Sequence, residues 1–141
     1  MIQTLYPGPQ SIHPNIFKVS YILLSHALGP VSLLTMFNSK TYTKALDELL
    51  LQSKTDVLCI YGDRDQFTST KRYLAWTEHL KAVIKQRKVP KIQPAVADRR
   101  GAFQATQIEG ADHFWRGNRG REMRKVVTDW ITKLENGTLQ G

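Results

Sequence analysis

Thiols are nearly absent: the 141 residues contain a single cysteine, Cys59. That excludes an internal disulfide framework and leaves too few thiols for a structural zinc site. No apolar run approaches the ~18 residues that a bilayer-crossing helix needs, so no membrane span is expected. The opening MIQTLYPGPQSIHPN lacks both a basic n-region and an apolar h-region, so no signal peptide is expected and a cytoplasmic location follows. No cofactor is expected. What remains is one domain, for which roughly 100–200 residues is the usual size, able to bury a core without a staple.

Acidic residues are the other scarcity, 12 against 20 Lys and Arg, for a net charge of +8. The excess is local. Residues 81–125 carry twelve basic and four acidic side chains, leaving eight of each sign elsewhere. A basic surface attracts phosphates or nucleic acid, but it is more commonly a solvated helix or loop face. No RNP aromatics, zinc finger or helix-turn-helix accompanies the charge, which disfavours a nucleic-acid module.

The pattern along the chain alternates. Pro7, Gly8, Pro9 and Pro14 mark residues 1–17 as an irregular lead-in. Val19 to Ser25 (VSYILLS) is a run of consecutive apolar residues, as expected for a strand covered on both faces. Tyr42, Ala45, Leu46, Leu49 and Leu50 recur at helical spacing, with Asp47 and Glu48 facing away. Val57 to Tyr61 (VLCIY) is a second buried-strand run ending at Gly62. Ser69 or Thr70 then caps a helix with Tyr73, Trp76, Leu80, Val83, Ile84 and Arg87 on one side. Residues 88–102, with Pro90 and Pro94, read as an inserted loop. Phe103 to Ile108 alternates like a half-exposed edge strand, and GADHFWRGNRG (110–120) is loop. Met123, Val126, Val127, Trp130, Ile131 and Leu134 form the stripe of a last helix that Gly137 can end. Strand, helix, strand, helix, strand, helix is the alternation of a parallel α/β sheet.

Two loops follow strands, on the side where open α/β sheets place their sites. One is Tyr61-Gly62-Asp63-Arg64-Asp65-Gln66-Phe67-Thr68; the other is Gly110-Ala111-Asp112-His113-Phe114-Trp115. Neighbouring parallel strands would bring the carboxylate of Asp65 to the Nδ1–H of His113, fixing the tautomer and stabilising an imidazolium. An acid and then a histidine, each at a strand end, match the last two members of the order Ser…Asp…His.

In these residues the chain resembles the C-terminal half of the α/β-hydrolases, from about Lys18 to Leu134. The resemblance implies a partial α/β-hydrolase fold of three parallel strands alternating with helices. It implies Asp65, of Gly62-x-x-Asp65, as the triad acid and His113, of Gly110-Ala-Asp-His, as the general base. Asp63 and Asp112 would be loop neighbours without a catalytic role. The family's nucleophile elbow, Gly-x-Ser-x-Gly, is missing from the sequence. Ser25, Ser32 and Cys59 offer no signature that would replace it. The expectation is therefore a serine-hydrolase fragment, inactive alone, acting on a small acyl substrate once completed by an N-terminal half.

Two other readings compete. Asp63-Arg64-Asp65 after a strand resembles the Asp-x-Asp loop of haloacid-dehalogenase-like Mg²⁺ phosphatases, although Phe67 replaces the expected Thr or Val. Alternatively, the chain is a non-catalytic partner that associates, with itself or another chain, through VSYILLS as an exposed edge strand.

Overall fold

The computed structural model describes residues 19–26, 28, 39–52, 54–87 and 101–139. Its elements are β1 (Ser20–Leu24), α1 (Ser39–Leu51), β2 (Asp56–Gly62), α2 (Thr70–Lys85), β3 (Phe103–Ile108) and α3 (Arg119–Glu135). The strands form one sheet in the order β1-β2-β3, and both pairings are parallel. The expected α/β alternation is thus the observed one. The lead-in over 1–17, Ser32, and residues 88–100 of the expected insertion lie outside the described residues.

Central position explains β2. All seven of its residues are buried, because strands flank it on both sides and helices cover both faces. Side chains alternate across the pleat, so the run divides between two cores. Val57 and Cys59 pack with Leu50 of α1 and Leu80 and Val83 of α2. Leu58 and Ile60 pack on the opposite face with Ile108, Ala111 and Trp130 of α3. Burial pushes the Cys59 thiol up to about 12, so it behaves as a small apolar side chain.

β1 departs from expectation. Tyr21 and Leu23 join the core below α1 and α2. Ile22 and Leu24, on the other face, remain 42% and 41% exposed. α3 packs on β2 and β3, and the core beneath it includes no residue of β1. Among the described residues the strand is therefore covered on one face, not two.

Several helical positions also differ. Tyr42 is exposed, and Asp47 does not face away: its carboxylate meets His79 Nε2 of α2 at 3.0 Å. Ile131 of the α3 stripe is exposed as well, while Trp130 is buried. Gly101 and Ala102, placed by pattern in the inserted loop, are buried at the entrance to β3. There Ala102 donates its N–H to Asp56 Oδ1 at 2.6 Å and accepts from Val57 N at 2.8 Å. Arg87 turns inward, donating to the carbonyls of Leu50 (2.7 Å), Gly101 (2.6 Å) and Thr55 (3.1 Å). Lys81, Arg116, Arg119 and Lys125 pair with acids three or four residues away. Lys81, Arg87, Arg116, Arg119 and Lys125, five of the basic residues described in 81–125, are therefore engaged within the chain. No helix of the described residues is long and apolar enough to cross a membrane.

Candidate active site

The two loops singled out by sequence meet at the C-terminal ends of β2 and β3, which run in register to Gly62↔Ile108. The first stitch is backbone: Arg64 donates its N–H to the carbonyl of Ala111 at 3.0 Å. Gly62 permits this approach, since a Cβ there would overlap the Ala111 carbonyl. Asp63 supplies the second stitch, its Oδ1 accepting the Gly110 N–H at 2.6 Å. Gln66 supplies a third, its Oε1 accepting from His113 N at 3.2 Å. Asp112 stays within its own loop and accepts the N–H groups of Phe114 and Arg116. Ala111 and Trp115 bracket His113 and sink into the α3 core, so the histidine loop is anchored on both sides.

Within that frame His113 Nδ1 lies 3.0 Å from Asp65 Oδ2, and the Asp65 side chain is wholly buried. The carboxylate is saturated with donors. Its Oδ1 accepts the N–H groups of Phe67 (2.8 Å) and Thr68 (3.1 Å); its Oδ2 also accepts the Tyr73 hydroxyl (2.9 Å). Burial alone would raise this carboxyl. Hydrogen bonds from His113, Phe67 N–H, Tyr73 and Thr68 N–H outweigh it and hold Asp65 below the ordinary value. A charged carboxylate only accepts, so the imidazole proton sits on Nδ1. That leaves Nε2 as the basic nitrogen, and among the described residues it makes no hydrogen bond. Phe67 and Phe114 meet the imidazole edge-on, with centroids 4.6 and 5.4 Å away, and both phenyl rings reach solvent.

The sequence-based pair, Asp65 and His113, is thus brought together. Ser25 makes no hydrogen bond to either member of the pair among the described residues; its buried Oγ lies towards the Tyr73 hydroxyl, not towards the imidazole. The neighbouring His26 stacks on Trp76 at 5.0 Å instead of facing Ser25, and burial lowers its proton affinity. The carboxylates of Asp63 and Asp65 point to different partners and do not converge as a Mg²⁺ phosphatase would require. No group of three or more potential metal ligands occurs among the described residues.

Sequence reasoning missed three contributors. Tyr73 was legible only as a core position, although a buried phenol needs a partner and that is a usable signal. Asp63 stands two residues before the acid, and no spacing signals that it joins the loops. Gln66 carried no signal at all.

No family model matches the chain, and neither a curated protein nor a solved structure matches it. The chemistry of the site therefore rests on its own residues.

Proposed function

We propose that this chain supplies the acid, Asp65, and the general base, His113, of a serine-hydrolase active site acting on esters, thioesters or peptides. The contact between His113 Nδ1 and the buried Asp65 carboxylate at 3.0 Å is the observation that supports it most. Nε2 takes the proton of a serine hydroxyl as its oxygen attacks the acyl carbon, and Asp65 stabilises the resulting imidazolium. The imidazolium then protonates the leaving group as its bond to the acyl carbon breaks. Water repeats the sequence on the acyl-enzyme and releases the acid. A small-molecule acyl compound is the substrate class and a cytoplasmic location goes with it.

The nucleophile and the oxyanion donors belong outside these 141 residues in this reading, because no Gly-x-Ser-x-Gly occurs among them. The chain by itself is then inactive. Fluorophosphonate labelling tests both halves of the statement. The 141-residue chain should not label or turn over a short-chain nitrophenyl ester. A product extended upstream in frame should label on serine, and His113→Ala should abolish that. No labelling of the extended product, or ester turnover by the short chain that His113→Ala removes, would sink the reading.

A further inference from the structure

Asp65 Oδ2 is shared by two side chains, and only one of them belongs to the pair described above. Tyr73 sits in the first turns of α2 with its backbone N–H on Ser69 O, and it is wholly buried. Its ring stacks on Tyr61 of β2, centroids 4.5 Å apart at 16°. That packing aims the hydroxyl at the oxygen that also faces His113 Nδ1, with contacts of 2.9 and 3.0 Å respectively. The other oxygen is already fixed by two backbone N–H groups, so the carboxylate does not need Tyr73 to be held in place. What the phenol adds is competition. Two donors on one oxygen each draw on the same negative charge, and each bond is weaker than it would be alone.

We propose that Tyr73 is a positioning residue of the site, whose hydroxyl sets how strongly Asp65 holds the His113 imidazole. The inference rests on the catalytic reading of the pair for its consequence, but not for its test. A purely structural tyrosine would find an acceptor for its hydroxyl, and losing that bond would change stability alone. A tuning tyrosine also moves the imidazole.

Tyr73→Phe keeps the stacked ring and removes only the O–H. The measurement is the NMR signal of the His113 Nδ1 proton, assigned with ¹⁵N-histidine labelling and His113→Gln. With Oδ2 freed for one donor, the signal should move downfield and exchange more slowly with water. Uniform 3-fluorotyrosine incorporation makes the phenol a stronger donor and should move the same signal upfield, which decides the matter even if Tyr73→Phe folds poorly. A signal unmoved by either change overturns the role of Tyr73 and leaves the catalytic reading intact. An imidazole that in the parent chain carries its proton on Nε2 overturns both.

Discussion

The two ends of β2 are clamped to β3 by the same device, put to different use. At the N-terminal end Asp56 accepts the Ala102 N–H at 2.6 Å, and Gly101 lets β3 pass against the Thr55 backbone. At the C-terminal end Asp63 accepts the Gly110 N–H at 2.6 Å, and Gly62 lets the histidine loop pass against Ala111. An aspartate beside a glycine contact is therefore a structural joint in both places and is not itself a mark of chemistry. The difference lies in what each joint carries. The N-terminal end adds Arg87 with Nε, Nη1 and Nη2 all donating to carbonyls. The C-terminal end carries an imidazole with one nitrogen committed to Asp65 and the other without a hydrogen bond among the described residues. One end is closed, and the other leaves an imidazole nitrogen that no described residue engages.

Substitutions can break that comparison. The largest effect is expected from Gly101→Ala, whose Cβ would run into the Thr55 backbone, at a cost of about 3 kcal/mol or more in urea unfolding. Gly62→Ala overlaps the Ala111 carbonyl but displaces a loop, not a strand entrance. It should cost about 2 kcal/mol and separate His113 from Asp65. Equal losses with an intact pair would mean that the ends are not mechanically distinct.

Next comes Arg87→Met, which strips the charged donors from three carbonyls. It should lower stability by about 2 kcal/mol while leaving the His113 Nδ1 signal in place. Asp63→Ala should show the opposite balance. A loss of about 1–2 kcal/mol in the denaturation midpoint goes with a shifted or vanished Nδ1 signal, because the histidine loop loses a stitch.

Acid sharpens the contrast with the smallest effect. Asp65 binds its proton more weakly in the folded chain than at the ordinary 3.8, so its contribution is complete above that value. It is lost as the pH falls below 3.8 through the depressed native value. Stability measured against pH should drop more steeply there in the parent chain than in Asp65→Asn. Parallel curves would show that Asp65 is not the group being titrated.

How much of this was legible depended on whether a pattern reports a period or a neighbour. VLCIY and VSYILLS carry the same sign, consecutive apolar residues, yet β2 is buried throughout and β1 is covered on one face. Nothing in the string distinguishes a strand flanked on both sides from one whose single neighbour among the described residues is β2. Likewise Arg87 falls on the apolar side of α2 by spacing. Whether such a cation snorkels outward or turns in to three carbonyls depends on a strand end that lies elsewhere in the chain. Asp65 and His113 were legible because each ends a strand run, and parallel alternation places consecutive strand ends together. Tyr73 was not, since helical spacing identifies a buried position without saying what its hydroxyl meets.

The order of residues alone determined the α/β alternation and that the loops bearing Asp65 and His113 follow successive strands. These follow from local periodicity and from the rule that parallel strands point the same way. Tertiary structure decided the rest: which face of β1 stays open, which aspartate joins loops and which holds the imidazole, and that a tyrosine shares the acid. Hydrogen-bond partners 47 or 48 residues apart are selected by packing in three dimensions, and no spacing along the chain encodes that choice.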